Sequence, residues 1–342
     1  MSDDINNTLG IENKAEQPVN SGIKRIGVLT SGGDAPGMNA AIRAVVRSGI
    51  YRGFEVYGIR RGYEGLLNGE MYEMNLRSVS DIISRGGTIL QTARSAEFNS
   101  EEGVKRAYRM AKVFRLDAIV VIGGDGSFRG ARDLAKEGMN VIGIPATIDN
   151  DIDSTDYTIG FDTAINTVKD AIDKIKDTAS SHERCSVVEV MGRGAGYIAL
   201  QCAIADGAEA CILPERHFDI NTDIIKPIIG CRNRGKHHYI VIIAEGVGGT
   251  IEIAKQINEI TGISTNATIL GYQQRGGSPT VKDRLAASMM SVKATEVLAQ
   301  GGRNKIIALK NEQYVAIDID EALSMKKTLD PEMIYASKIL SL

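Results

Sequence analysis

The 342-residue sequence has no tryptophan and only 5% aromatic residues, which leaves few rings on which nucleic-acid bases could stack. Its 40 lysines and arginines are balanced by 43 aspartates and glutamates, giving a formal net charge of −3. This balance argues against broad electrostatic binding to nucleic acid or to anionic membranes. No apolar run approaches the roughly 18 residues that a transmembrane helix requires. We therefore expect neither nucleic acid nor a membrane as a partner.

Cysteine and proline are also scarce. The cysteines Cys185, Cys202, Cys211 and Cys231 show no Cys-x-x-Cys spacing, so we expect reduced thiols in a cytoplasmic protein. Only 7 prolines stand against 37 glycines, a ratio expected where backbone must approach a ligand closely. Residues 1–22 are polar and lack the features of a signal or transit peptide, so we interpret them as a flexible tail.

Short β-branched runs alternate with helix-period segments along the rest of the chain. The run at 25–30 precedes a helical pattern at 38–50, and the run at 118–122 precedes one at 128–136. Similar runs occupy 141–145, 186–190, 238–244 and 268–270, and a long amphipathic helix is expected at 161–178. The alternation predicts an α/β fold of two similar Rossmann-like domains, each a mainly parallel sheet with helices on both faces.

Each predicted strand ends in a glycine-rich or acidic loop. In open parallel sheets the ligand binds beyond the carboxyl ends of the strands, so we expect these loops to form the site. Gly32 and Gly33 precede a helix and can offer backbone N–H groups to a phosphate, or simply form a tight turn. No Walker A motif and no Gly-x-Gly-x-x-Gly fingerprint is present, which disfavours a dehydrogenase.

The segment at 123–127, Gly-Gly-Asp-Gly-Ser, is more informative. Its glycines allow backbone to approach an anion, Asp125 offers a hard oxygen to Mg²⁺, and Ser127 can donate a hydrogen bond at a helix start. An Asx turn followed by a helix cap would account for the same residues. Similar loops occur in NAD kinases and diacylglycerol kinases, so the segment indicates a kinase without identifying the acceptor.

Acidic and arginine residues follow other strands. The segment 147–153 crowds carboxylates, which raise one another's pKa as a general base or a metal-water site requires, although a solvated acidic loop has the same composition. Arg94, Arg184, Arg193 and Arg275 lie in or beside loops, and arginine suits phosphate recognition. A single arginine in such a loop more often forms a surface ion pair than it binds phosphate. Together they predict a phosphorylated substrate and a transferred phosphoryl group.

Five motifs combine these residues in a fixed order. They are LTSGGDAPGMN at 29–39, IGGDGS at 122–127, TIDND at 147–151, MGR at 191–193 and QRGGSP at 274–279. With them the chain resembles the bacterial-type, ATP-dependent 6-phosphofructokinase family from Lys24 to the C-terminus. The resemblance implies phosphorylation of fructose 6-phosphate at its 1-hydroxyl by MgATP, the committed step of glycolysis, by a cytoplasmic and allosterically regulated homotetramer.

The resemblance also implies roles for single residues. Asp149 would be the base, Thr147 and Arg193 would stabilise the transferring phosphoryl group, Asp125 would hold Mg²⁺, and Asp151 would assist near the metal. The implied nucleotide-binding positions are Gly33, Tyr63, Arg94, Asp125, Gly126, Ser127 and Gly130. The implied fructose 6-phosphate positions are Thr147, Asp149, Met191, Gly192, Arg193, Glu245, Asn266, Tyr272 and Arg275, with Arg184 reaching over from a neighbouring subunit.

Some positions depart from the family pattern. Asn266 and Tyr272 stand where the family usually has arginine and histidine, and a lost charge-assisted contact would weaken binding by about 1.5–3 kcal/mol. We therefore expect a raised KM or a different acceptor. Gly126, where pyrophosphate-using relatives carry aspartate, favours ATP, whereas the effect of Ala146 in place of the usual glycine is open.

Other functions stay as alternatives. The chain could phosphorylate another sugar phosphate, use pyrophosphate, or serve as a non-catalytic regulatory subunit. The intact Asp149, Asp151 and Arg193 disfavour the last of these.

The resemblance further implies an effector site and a domain division. Effector positions are matched by Arg43, Arg47, Lys176, Glu209, Arg234 and Lys236, while Leu76 replaces a basic residue. ADP and phosphoenolpyruvate are the candidate effectors.

We predict a nucleotide-binding domain at 23–160, completed by roughly 278–325, and a sugar-phosphate-binding domain at 161–277, completed by the C-terminal helix at 326–342.

Overall fold

The computed structural model describes residues 22–341, so the predicted tail lies outside the described residues except for Gly22. The described strands are β1 (Arg25–Ser31), β2 (Glu55–Ile59), β3 (Met71–Met74), β4 (Ala118–Gly123), β5 (Asn140–Pro145), β6 (Cys185–Val190), β7 (Ala210–Ile212), β8 (Tyr239–Ala244), β9 (Thr265–Ile269), β10 (Lys305–Lys310) and β11 (Gln313–Asp318). They form a seven-stranded sheet in the order β11-β10-β5-β4-β1-β2-β3 and a four-stranded sheet in the order β7-β8-β6-β9.

Both sheets are mainly parallel. In the first sheet only the edge strands β3 and β11 pair antiparallel to their neighbours. All pairings in the second sheet are parallel. These sheets and their helices confirm the predicted α/β fold class.

Helices connect the strands. They are α1 (Met38–Tyr51), α2 (Gly62–Asn68), α3 (Glu101–Val113), α4 (Asp125–Lys136), α5 (Phe161–Ser181), α6 (Tyr197–Asp206), α7 (Lys226–Asn233), α8 (Thr250–Thr261), α9 (Val281–Ala299), α10 (Ile319–Ser324) and α11 (Pro331–Leu340). In the part of the chain from 22 to 341, no helix is both long and apolar enough to span a membrane.

Strand residues alternate between two cores because successive side chains on a strand point to opposite faces. Val28 of β1 belongs to a large cluster that also includes Val188 of β6 and residues of α1, α5, α6 and α9. Leu29 belongs to a second cluster with residues of α2, α3, α4 and α10. A third cluster, with Val187, packs α7 and α8 against the other face of the second sheet. Each sheet is therefore covered on both faces.

Helix α9, near the C-terminal end of the chain, is hydrogen-bonded to the start of α5. Its buried Asp283 accepts hydrogen bonds from the Gly160 N–H at 2.7 Å and the Thr163 N–H at 2.9 Å. The Tyr157 hydroxyl donates to the same carboxylate. Because these groups are sequestered from water, the carboxylate satisfies donors that α5 would otherwise leave unpaired.

Two elements begin three residues away from their predicted starts. Helix α4 begins at Asp125 rather than at 128, because the Ser127 and Phe128 N–H groups already donate to the Gly124 carbonyl. Strand β9 begins at Thr265 rather than at 268. This strand lies at a sheet edge and has no buried residue, so it lacks the apolar run by which buried strands are recognised.

Candidate active site

The loops after β1, β4 and β5 surround a cavity of about 660 Å³. This is the edge of the sheet at which parallel strands present their carboxyl ends. The cavity brings together most of the predicted site residues: Gly33, Tyr63, Arg94, Asp125, Gly126, Ser127, Gly130, Thr147, Asp149, Asp151, Arg193 and Arg275. Residues that are far apart in the sequence thus share one space.

The first turn of α4 forms one wall of this cavity. Asp125, Gly126 and Ser127 lie in that turn, where the unpaired N–H groups and the positive end of the helix dipole favour an anion. A Cβ atom added to Gly126 would meet no atom within 4 Å, so this position opens onto free space. The wall therefore suits the phosphates of a bound nucleotide.

An aromatic pair lies beneath this turn. The rings of Tyr63 and Phe98 stack with centroids 4.0 Å apart, and the Tyr63 hydroxyl donates to the Ser127 carbonyl. Burial raises the pKa of Tyr63, which keeps the hydroxyl protonated as a donor. Phe98 was not predicted, since it stands in no motif. The pair supports the turn from below and fixes the carbonyl of Ser127.

Asp149 is the most perturbed carboxylate of the cavity. It is 6% exposed, and burial followed by the charge of Asp151 raises its pKa to about 6, against the opposing charges of Arg193 and Arg275. The Asp149 N–H donates to Thr147 Oγ1 at 3.2 Å. Burial also raises the pKa of Asp151. A carboxylate with a pKa near 6 can exist as a base at neutral pH and still bind a proton strongly.

Glu245 holds the turn that carries Arg193. Directly after β8, its Oε1 accepts hydrogen bonds from the Arg193 N–H at 2.6 Å and the Gly192 N–H at 3.3 Å. Arg193 has a φ of 56°, a left-handed conformation that a non-glycine residue adopts only when its surroundings hold it. The carboxylate supplies that hold for the backbone of the turn. Arg193 shares the cavity with Asp149, and its charge acts to lower the pKa of that carboxyl.

A smaller cavity of about 250 Å³ adjoins this turn. Met191, Glu245, Tyr272 and Arg275 line it, and Arg275 lines the large cavity as well. Tyr272 is 79% exposed, and the Arg275 guanidinium carbon lies 5.4 Å from the centre of its ring. Gly33 lies against the same guanidinium, since a Cβ there would be 3.2 Å from it. Arg275 therefore connects the two cavities.

Two predicted substrate residues lie elsewhere. Arg184 directly precedes β6, and Asn266 pairs with Ser186 near the start of the same strand. Met191 follows the other end of β6, roughly 20 Å away at about 3.3 Å per residue. The chain's own Arg184 and Asn266 therefore do not line its own cavity.

The residues that could hold magnesium fit the ion. Asp125 lies in the cavity with its side chain 41% exposed, and Arg129 Nε donates to its Oδ2 at 2.9 Å. Among residues 22–341 there is no group of three or more His, Cys, Asp or Glu side chains that could form a metal cage. One carboxylate that acts together with phosphate oxygens is a typical protein environment for Mg²⁺.

The predicted effector residues form two sets on different elements. Arg43 and Arg47 lie on α1. In the second set, Lys236 forms an ion pair with the buried Glu209, and Lys176 lies 3.8 Å from Asp206 Oδ1. Glu209 and Arg234 also line a cavity of about 470 Å³, as do Lys226 and Lys338.

Lys327 lies behind the acidic loop and was missed by the sequence analysis. It belongs to no motif, and it follows Lys326 in a polar segment between α10 and α11. Its Nζ donates to the Asn150 carbonyl at 2.6 Å and the Thr155 carbonyl at 3.0 Å. Burial and the nearby Lys310 lower its pKa to about 8, so its ammonium is mostly charged at pH 7.

A family model for phosphofructokinase matches residues 25–298, which contain all five motifs. The chain belongs to the phosphofructokinase family. An ATP-dependent 6-phosphofructokinase of Clostridium botulinum (strain Loch Maree / Type A3) is 56% identical over 319 residues, which are 93% of this chain and 100% of that protein. The ATP-dependent 6-phosphofructokinase of Clostridium novyi (strain NT) is 57% identical over the same coverage.

A solved structure of this family has the same fold. Phosphofructokinase from Saccharomyces cerevisiae is 33% identical to this chain and superimposes with a TM-score of 0.81. The match covers 93% of this chain and 48% of the yeast chain, so the present chain spans about half the length of that relative.

Proposed function

We propose that this protein transfers the γ-phosphoryl group of ATP to the 1-hydroxyl of fructose 6-phosphate and releases fructose 1,6-bisphosphate and ADP. The observation that carries the proposal is Asp149, a buried carboxylate whose pKa is raised to about 6, in the same cavity as the start of α4. A base, an anion-binding helix end and two arginines in one cavity are the components that phosphoryl transfer to a hydroxyl requires.

Asp149 accepts the proton of the attacking hydroxyl. Such a base contributes about 10²–10⁴ in rate. Thr147 lines the cavity beside it, and Arg193 brings a fixed positive charge to the same space. We assign both to stabilising the charge on the transferring group. Asp151 raises the basicity of Asp149 through its charge.

The nucleotide is assigned to the wall formed by β1, β4 and α4. Its proposed contacts are Gly33, Tyr63, Arg94, Asp125, Gly126, Ser127 and Gly130. Mg²⁺ held by Asp125 and phosphate oxygens would neutralise phosphate charge. The free space at Gly126 supports ATP over pyrophosphate as donor, because an aspartate there would project a carboxylate into the space for the α-phosphate.

The sugar phosphate is assigned to the smaller cavity. Its proposed contacts are Met191, Gly192, Glu245, Tyr272 and Arg275, with Arg184 and Asn266 from a neighbouring subunit. The distance of Arg184 and Asn266 from their own chain's cavity supports this contribution across subunits. We accordingly assign 23–160 with 278–325 to a nucleotide-binding domain, and 161–277 with 326–342 to a sugar-phosphate-binding domain.

A homotetramer is the proposed assembly, in the cytoplasm. Val281, Leu285, Met289 and Val292 are exposed and share one face of α9, as their spacing of about four residues requires. Such an apolar stripe suits contact with a second copy. Leu285→Glu should lower the mass measured by light scattering, whereas Val113→Glu, at an exposed apolar residue on α3, should leave it unchanged.

Effector binding is part of the proposal. Arg43 and Arg47 of one subunit, with Lys176, Arg234 and Lys236 of another, would bind ADP or phosphoenolpyruvate, and Glu209 completes the set. Leu76, which is exposed, supplies no charge, so the response should differ in strength from that of a fully matched site. Activity that is indifferent to both ligands would contradict this assignment.

The decisive experiment measures fructose 1,6-bisphosphate formation with Mg²⁺ and either ATP or pyrophosphate. We expect turnover with ATP alone, and its loss in Asp149→Ala. No turnover with either donor would overturn the proposal. Because Tyr272 and Asn266 depart from the family pattern, a panel of other sugar phosphates should be run in parallel. A higher kcat/KM for one of them would make that compound the acceptor.

A further inference from the structure

Lys327 forms hydrogen bonds to the loop that carries Asp149. Its Nζ donates to the carbonyls of Asn150 and Thr155, and its own N–H donates to Asp153 Oδ1 at 3.0 Å. Three hydrogen bonds from one residue thus fix the stretch that directly follows the base. Bonds from a charged donor are about twice as strong as neutral ones.

The same ammonium also contacts the element that follows Arg193. It lies 4.7 Å from the centre of the Tyr197 ring, and Tyr197 is the first residue of α6. A cation over an aromatic face is attracted by the ring's quadrupole. Asp151, Arg193, Tyr197 and Lys327 line one cavity of about 590 Å³. Lys327 therefore contacts the loop that carries Asp149 and the first residue of the helix that follows the Arg193 loop.

Both loops contain a residue in an unfavourable backbone conformation. Asn150 has a φ of 52° and Arg193 a φ of 56°, and neither is glycine. Such conformations cost about 1–3 kcal/mol each and persist only where surrounding contacts over-determine them. Lys327 bonds to the carbonyl of Asn150 itself.

We propose that Lys327 is a positioning residue for phosphoryl transfer, which holds the Asp149 loop and the start of α6 in fixed relation to each other. The inference rests on the proposed function. Lys327 lines neither of the cavities assigned to the two substrates, so we assign it no contact with substrate and no part in proton transfer. Its removal should misplace Asp149 relative to Arg193, and small misplacements of reacting groups cost up to about 10²-fold in rate.

The test compares Lys327→Met with Lys327→Arg and with Lys326→Met, an exposed neighbour that serves as the matched control. We expect kcat of Lys327→Met to fall by about 10- to 100-fold, while KM for both substrates and the affinity for MgADP stay within twofold. Lys327→Arg should restore kcat to within about fivefold of wild type, and Lys326→Met should match wild type. Thermal melting is measured for each variant.

Three results would overturn the proposal: kcat of Lys327→Met within twofold of wild type, an equal loss in Lys326→Met, or a loss that appears in KM instead. If Lys327→Met does not fold, Asp153→Ala replaces it, because Asp153 accepts the Lys327 N–H and its charge also acts on the Lys327 ammonium. Unchanged kcat in that variant would also count against the proposal. An inactive wild-type protein would instead reject the proposed function, so the two failures are distinguishable.

Discussion

The guanidinium of Arg129 donates a 2.9 Å hydrogen bond from Nε to Asp125 Oδ2, so the carboxylate assigned to magnesium is already paired with a cation. The two residues lie four apart on α4, and both side chains are partly exposed. An exposed pair of this kind is worth at most about 1 kcal/mol. Magnesium at Asp125 would therefore share the carboxylate with a guanidinium or displace it.

Arg129→Met should therefore ease magnesium binding. We expect the Mg²⁺ concentration for half-maximal activity at fixed ATP to fall by up to about fivefold, the equivalent of 1 kcal/mol. Binding of Mn²⁺, followed by electron paramagnetic resonance, gives a readout independent of turnover. A rise in the metal requirement would mean that Arg129 serves the nucleotide phosphates instead.

Activity should decline on the acid side of neutrality. The base must be deprotonated, and burial together with Asp151 raises the pKa of Asp149 to about 6. We expect kcat to fall tenfold per pH unit below about pH 6. Asp151→Asn removes the neighbouring negative charge, so it should move this limb of the pH profile to lower pH. A limb that stays in place would show that Asp151 does not influence the base.

Asp149→Asn should stabilise the protein while it removes activity. The pKa of Asp149 is about 6 in the folded protein, against the ordinary value of 3.8 that we expect in the unfolded chain. Between these pH values the folded protein binds one proton more than the unfolded chain, so the free energy of unfolding falls as the pH rises through them. Above pH 6 the ionised Asp149 lowers the free energy of unfolding by on the order of 3 kcal/mol. The variant should unfold at higher denaturant concentration than wild type at pH 8, and the difference should vanish near pH 4.

Asn266→Arg should tighten sugar-phosphate binding. Asn266 is exposed on the edge strand β9, so a longer side chain meets no packing obstacle there. A new charge-assisted contact to a phosphate is worth about 1.5–3 kcal/mol, which corresponds to at least a tenfold lower KM for fructose 6-phosphate. The KM for ATP should not change. Ile260→Arg, at an exposed position of α8 that lines neither of the cavities assigned to the substrates, is the control.

Asp283→Ala should be among the most destabilising single changes in the protein. Its carboxylate is fully buried and accepts hydrogen bonds from the Gly160 and Thr163 N–H groups and from two hydroxyls. Loss of several charge-assisted bonds should lower the free energy of unfolding by at least about 3 kcal/mol. Asp330→Ala removes an exposed helix cap at α11 and should cost only about 1 kcal/mol in the same chemical denaturation.

The fold was predictable where buried apolar runs mark the strands. Strands β4 and β5 are buried along their whole length and were located to within one residue. Strand β9 was predicted to begin three residues too late and β11 was not predicted, because half-exposed edge strands carry mixed sequences. The antiparallel pairing of β3 with β2 joins strands that are separated by α2, and no local pattern encodes it.

The site was predictable where chemistry dictates residue type. Asp125, Asp149 and Arg193 stand in recognisable loops, and the structure brings them to one cavity. Phe98 and Lys327 were not found, because each acts by contact with residues distant in sequence. The 177-residue separation of Lys327 from Asn150 leaves no local signal.

The late position of α9 and of the hairpin has a consequence for synthesis on the ribosome. The second sheet draws all its strands from residues 185–269, so its strands are all available once that stretch has emerged. The first sheet, although it begins with β1, lacks β10, β11 and the helix packed against α1 until residues 281–318 exist. The half that is made first is therefore completed last, and its exposed apolar surface is the part of the nascent chain most in need of a chaperone.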